Sequence, residues 1–243
     1  MLSQDADVLL MPSAFGTHPV SLSVIPKEME MQMTMVGVMF APTDKITLMC
    51  MINYVSKDMN LNTHQAMMSR NLVISFSASS SDFRNVMMCA LISLKEDRKS
   101  KWHGEITFQK SFGQKDVKDT MVTPMGQIAE IVLPYAMQPR DGASKLALDL
   151  TNVKQITDNL NWGNQVRMKA SVAKDDWVFG GEHSFNTWLQ YEFYRQLSVS
   201  GRFKFNYENE ITGRNPLVLA PIQTADTDNY GGKCCTMVLG STS

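Results

Sequence analysis

The side chains in this chain that first suggest ligation or reaction are four histidines and four cysteines. His18, His64, His103 and His183 are scattered, each among polar or turn residues. Cys50 and Cys89 lie in apolar runs, and Cys234 and Cys235 are adjacent near the end. Adjacent cysteines cannot both ligate one tetrahedral metal without unusual backbone strain, and a disulfide between them is awkward for the same reason. No CxxC pair, GxSxG elbow, Walker loop, HExxH or GxGxxG is present. Asp175-Asp176 and Glu182-His183 flank a Gly-Gly turn and could hold a cation, although loop solvation accounts for both. The residue types therefore lead us to expect no enzyme, no catalytic residue, no cofactor and no metal.

Methionine is the outlying feature. Met29, Met31, Met33 and Met35 are spaced by two, alternating with Glu28, Glu30, Gln32 and Thr34. An adaptable partner interface and simple core filling both fit that spacing, because methionine moulds itself to irregular surfaces. Trp102, Trp162, Trp177 and Trp188 read as core or interface anchors. Met29, Met31, Met33 and Met35, with Trp177 and Trp188, form the candidate interface.

The elements that would carry these residues are strands. Ile46–Tyr54 has apolar residues at every even position, and Leu146–Leu150, Val166–Val172 and Leu197–Tyr207 alternate in the same way. Trp102, Gly104, Ile106 and Phe108 share one face, with His103, Glu105, Thr107 and Gln109 on the other. Met33–Ala41, Val86–Leu94 and Ile128–Leu133 are continuously apolar, which predicts strands covered on both sides. Turn residues punctuate the chain at Ser79–Asp82, Glu96–Lys101, Arg140–Gly142, Gly180-Gly181 and Gly213–Pro216. Thr151–Leu160 fits a short helix, whereas the aromatic alternation around Leu189, Tyr191 and Phe193 favours a strand.

Composition narrows the function classes. The 243 residues are 44% hydrophobic and 19% charged, enough apolar surface to exclude bulk disorder. Net charge is −1, and residues 1–69 carry three lysines, no arginine and six acids, so no basic arm neutralises phosphates. Residues 84–118 are mildly basic and read as a solvated face. No signal peptide or bilayer-length apolar run is evident, and no Asn-x-Ser/Thr sequon occurs. The expectation is a soluble protein made inside the cell, with no membrane contact. Residues 1–32 read as an N-terminal extension, 33–222 as one domain, and 223–243 as a flexible tail rich in Gly, Ser and Thr.

Trp102-His103-Gly104-Glu105-Ile106-Thr107-Phe108, followed by Met125–Pro134, resembles the W-x-G strand and the following strand of picorna-like viral coat proteins. Trp177, Thr187-Trp188-Leu189, Leu197–Tyr207, Asn215-Pro216-Leu217 and Pro221 follow the order seen in the small coat protein of comoviruses, in the secovirus family of plant viruses. This resemblance implies an all-β fold, a single eight-stranded jelly-roll sandwich. It further implies a structural capsid subunit that assembles with copies of itself and a larger coat protein. The icosahedral shell would enclose RNA through weak contacts, in a virion made in host cytoplasm. A plant virus movement protein and a carbohydrate-binding sandwich are the alternatives. The first would need a basic surface, and the second an exposed sugar-stacking tryptophan.

Overall fold

The computed structural model describes residues 10–13, 16–21, 23–65, 71–123, 125–174, 176–194, 197–218 and 223–242. In chain order the strands are β1 (Leu10–Ser13), β2 (Gly16–Ser21), β3 (Val24–Thr43), β4 (Ile46–His64), β5 (Leu72–Asp97), β6 (Ser100–Ser111), β7 (Lys118–Val122) and β8 (Ile128–Val132). They continue as β9 (Ala143–Thr157), β10 (Leu160–Lys174), β11 (Trp177–Val178), β12 (Glu182–Tyr194), β13 (Leu197–Glu208), β14 (Thr212–Gly213) and β15 (Gly232–Thr242). Short 3-10 turns span Tyr135–Met137, Gln223–Ala225 and Thr227–Asn229. The all-β class expected from the alternation is what the chain adopts.

Nine strands form one curled antiparallel sheet in the order β15-β13-β12-β10-β9-β6-β5-β4-β3. Leaving aside the small hairpins, that order is the order of the chain. A jelly roll instead sends strands across between two sheets through Greek-key connections. No such crossover occurs among the described strands of the large sheet, so the connectivity implied by the resemblance is not the one observed. The long strands instead pair with the next long strand in the chain, through two-residue turns at one end and longer connections at the other.

The connections differ sharply between the two ends. At one end, strands are joined across 44–45, 98–99, 158–159 and 195–196. At the other, the connections span 65–71, 112–142, 175–181 and 209–231. The described residues of segment 117–141 fold back over one face of β4 and β5. Val24, Met59, Leu61 and Ala78 of the sheet form a core with Met121, Leu133 and Met137 of that segment. Thr63 Oγ1 donates to Val122 O at 2.8 Å, and Ser80 Oγ donates to Met137 O. We call the covered face of the sheet inner and the opposite face outer.

Several expectations need correction. β3 begins at Val24, inside the expected extension of 1–32, and β15 lies beyond the expected domain end at 222. Residues 223–243 were expected to be a tail, yet 232–242 form an edge strand paired with β13. Backbone pairing stabilises such an edge with little burial, and Cys235, Met237 and Leu239 supply an alternation that the flanking Gly and Ser/Thr residues mask. Residues 151–160 belong to β9, the turn after it and the start of β10, not to a helix. Ser79–Asp82 lies within β5, where a bulge opposite Asn53/Tyr54 absorbs an extra residue. Met33–Ala41 is not covered on both sides, since every residue of β3 after Pro26 is exposed.

Candidate functional site

Cross-strand register makes the chemistry of each face legible. One outer row runs Phe40, Leu48, Ala90, Ile106, Leu148, Met168, His183 and Tyr207 across eight strands. A second outer row runs Ile46, Ile92, Gly104, Leu150, Val166, Phe185 and Phe205. The inner row between them runs Thr47, Leu91, Glu105, Asp149, Arg167, Ser184 and Asn206. On β6 to β13 the apolar rows thus point out and the polar rows point in, whereas the inner rows of β4 and β5 also carry the buried apolar residues Val55, Met59, Leu61 and Ala78.

Along these rows burial favours the polar side chains over the apolar ones. Leu148, at the middle of the outer face, is 52% exposed, and Phe40, Ile106 and Met168 are exposed as well. Asp149, Thr107, Gln109, Lys145 and Ser184 on the inner face are buried. The usual driving force would bury the first set and solvate the second.

Aromatic residues mark two levels on the outer face. Trp102, Trp162 and Tyr191 lie near the short-connection end, each a few residues from its turn. Tyr54, Phe83 and Phe112 cluster towards the long-connection end, with ring centroids 5.4 and 6.1 Å apart. Aliphatic Ile106, Leu148, Leu150 and Val166 occupy the rows between.

The inner face is laced with charge pairs. Arg167 Nε lies 2.8 Å from Asp149 Oδ1, its Nη2 lies 3.5 Å from Glu105 Oε1, and Lys169 Nζ lies 2.8 Å from Glu182 Oε2. Arg84, which the β5 bulge aims inward, donates to Asp141 Oδ1 at 2.7 Å, and Gln109 Nε2 donates to Asp141 Oδ2 at 2.7 Å. Burial pushes the Asp141 carboxyl up, but Arg84, Lys145 and Lys169 outweigh it and hold it below the ordinary carboxylate range. Burial dominates at Asp149 and raises its carboxyl despite Arg167. Lys145 is 4% exposed, and burial lowers its ammonium; its Nζ sits 5.9 Å from the Phe179 ring centre. A cavity of about 50 Å³ opens between Lys145, Arg167, Lys169, Thr107 and Gln109.

Lys57 fastens the inward segment. Its Nζ donates to Ala136 O and Gln138 O, both at 2.7 Å. Desolvation, reinforced by Arg84, lowers its pKa to about 8, against an opposing pull from Asp141. Gln138 in turn donates to Leu133 O at 2.7 Å, so the segment carries its own internal brace.

The six candidate interface residues do not form one surface. Met29, Met31, Met33 and Met35 lie on the inner face of β3, opposite Met59, Lys57, Val55 and Asn53. Trp177 is 7% exposed and packs on Tyr135 with ring centres 4.9 Å apart, which makes it a core residue and not an interface anchor. Trp188 lies on the inner face of β12 above Gly163, with Arg202 5.4 Å from its ring centre. A Cβ on Gly163 would come within 2.0 Å of Trp188 Cε2, so only glycine leaves room for that ring. β12 and β3 are far apart in the strand order.

Residue scanning missed the charge network, because Glu105, Asp149, Arg167 and Lys169 sit on three strands and meet only through register. The available signal was their position within each alternation, on the polar side of the strand. Among the described residues no group of three or more His, Cys, Asp or Glu is placed to hold a metal ion. No family model matches the chain, and none of the curated proteins matches it.

Proposed function

We propose that this chain forms the wall of a transmembrane β-barrel with a polar lumen narrowed by segment 117–141, passing small hydrophilic solutes. The observation that carries this reading is the inverted polarity of the sheet: apolar rows outside, hydrogen-bonded and ion-paired rows inside. Bilayer-spanning strands alternate apolar-out and polar-in, with aromatic residues at both interfaces, short turns at one end and longer loops at the other. The outer face and connection lengths follow that pattern. β6 (Ser100–Ser111) and β13 (Leu197–Glu208), at 12 residues each, are long enough for the run of about 9–11 residues that a tilted strand needs.

The expectation of no membrane contact rested on the length of continuous apolar runs, which is a criterion for helices. No described helix is long and apolar enough to cross a membrane, and that criterion does not bear on strands.

Sheet direction adds a condition on closure. Every neighbouring pair in the large sheet is antiparallel, so β3 and β15, its two edges, run in the same direction. Closing the wall with antiparallel pairs takes an odd number of further strands, which gives the even total usual for such barrels.

The coat-subunit reading draws on the same exposed outer face, which neighbouring copies would cover. A jelly-roll core would bury that face against a second sheet, and sequential strand order supplies no such sheet. Reconstitution separates the two. The protein is refolded in detergent, transferred to phosphatidylcholine vesicles and washed with alkaline carbonate. Retention in the vesicle pellet, with conductance steps in a planar bilayer, is the expected result. A detergent-free soluble protein that assembles into particles would overturn the membrane reading in favour of the coat subunit.

A further inference from the structure

The inner face changes character along the strand order. From β6 to β13 its rows are polar or charged, but on β3, β4 and β5 the same rows carry sulphur. Met39 pairs with Met49, and Met49 pairs with Cys89, placing three sulphur side chains in one row across three strands. In the next row Met51 pairs with Met87 and faces Gly37. A Cβ on Gly37 would lie 2.6 Å from Met51 Cγ, so the missing side chain is what accommodates the methionine. Asn53 Nδ2 donates to Met87 Sδ at 3.3 Å and orients that thioether. Adjacent strands lie about 4.8 Å apart, so flexible methionines in neighbouring rows can converge on one point.

Core filling does not account for this arrangement. Met39 is 69% exposed, Met49, Met51 and Met87 are half-buried and only Cys89 is buried, so the four methionines are not packed into a core. Contact with lipid does not account for it either, because Val36, Val38 and Phe40 supply the outward face of the same strand. A purely aqueous lining would use the Thr, Gln, Asp and Arg found on the neighbouring strands. What distinguishes the thioether is soft-donor chemistry: methionine and cysteine select soft cations such as Cu(I) and leave Mg(II), Ca(II) and Mn(II) to oxygen ligands.

We propose that Met39, Met49, Met51 and Met87, with Cys89 beside them, form a binding site for a soft monovalent cation of the Cu(I) or Ag(I) type. Met35, Met33, Met31 and Met29 continue the sulphur track along β3 towards Met59. No redox step is involved; the cation binds and leaves in one oxidation state. A search for His, Cys, Asp and Glu spacing passes over such a site, which is why the sequence led to an expectation of no metal. The inference stands on the sulphur rows and does not require the sheet to be closed or the lumen to conduct.

The test uses the full chain in detergent under anaerobic conditions. Cu(I) is offered as its coloured bicinchoninate complex, and Ag(I) is titrated separately against protein carrying 13C-methyl methionine. The expected result is withdrawal of Cu(I) from the chelator and a shift of the Met39, Met49, Met51 and Met87 methyl signals with Ag(I). The near-isosteric double variant Met39→Leu/Met49→Leu is expected to bind at least about tenfold more weakly while keeping its β-type circular dichroism. The control Met88→Leu/Met168→Leu alters two outward methionines and is expected to bind as the parent does. Failure of the parent to compete with the chelator, or equal weakening in the control, would overturn the site whether or not the protein inserts into vesicles.

Discussion

Replacing Leu148 with arginine puts a number on the inverted polarity. Leu148 lies on the central strand β9, flanked by Ile106 on β6 and Met168 on β10, with its side chain on the outer face. It is 52% exposed, so in a water-soluble protein about half of its surface is already solvated. Exchanging a half-exposed surface residue in water changes stability by roughly 0.5 kcal/mol. An arginine facing the middle of a bilayer costs about 2–4 kcal/mol, and the penalty falls to about 0–1 near the interfaces. Leu148→Arg should therefore lower the unfolding free energy by about 3 kcal/mol in vesicles. Leu94→Arg, close to the turn at 98–99 and also exposed, should lower it by less than about 1 kcal/mol. The assay is guanidinium unfolding of vesicle-reconstituted protein followed by tryptophan emission, with m-values compared to confirm that the same surface unfolds. Equal small effects at both positions would refute the reasoning, because water solvates both sites equally and only lipid grades them by depth.

Further outcomes follow from the inner face. Asp141→Asn removes the charge that faces Arg84 at 2.7 Å and should cost about 3–5 kcal/mol, measured by the same unfolding assay. The Asp141 carboxyl is held below its ordinary range when folded, so its stabilisation is complete above the unfolded pKa and is lost as pH falls through the folded one. Acid unfolding should accordingly be shallower in the asparagine variant. Lys57 titrates near 8 in the folded protein against an ordinary 10.5, so between those values the unfolded chain holds the extra proton. Stability should thus rise as pH is raised from about 8 to about 10.5, and Lys57→Met should flatten that slope in a pH series of unfolding curves. Gly163→Val should cost about 1–3 kcal/mol through the clash with Trp188, and Trp188→Ala should restore part of the loss.

The strands were legible because alternation survives whichever medium lies outside. Ile46–Tyr54, Trp102–Phe108 and Leu197–Tyr207 show the same period in a soluble sandwich and in a membrane wall. What alternation cannot reveal is which side is dry. His103, Glu105, Thr107 and Gln109 share one face of β6, as the alternation implies, yet that face is the more buried one. The helix fit at 151–160 arose because Val153, Ile156 and Leu160 straddle a strand, a tight turn and the next strand. Met33–Ala41 read as a doubly covered strand because both of its faces are apolar. Register shows that one face carries branched and aromatic side chains and the other carries thioethers. The candidate site was least visible of all, since Met39, Met49 and Cys89 are separated in sequence and become neighbours only through pairing of β3, β4 and β5.

The inner charges bear on what could tell one solute from another. Arg84, Arg167 and Lys169 are matched by Asp141, Asp149, Glu105 and Glu182 within ion-pair distance, and Lys145 adds its charge close to Asp141. Such matched pairs cancel at the range over which a hydrated ion is steered. A lumen of balanced charge discriminates by size, through the segment that Lys57 fastens, or by chemistry that charge does not dictate. The thioether rows supply chemistry of that second kind, because a neutral sulphur ligand binds a soft cation without needing an anionic partner. The segment packed on β4 and β5 and the sulphur rows on β3, β4 and β5 occupy neighbouring parts of the same inner face. In the barrel proposed above, a solute moving along the inner face would meet both the inward segment and the sulphur rows.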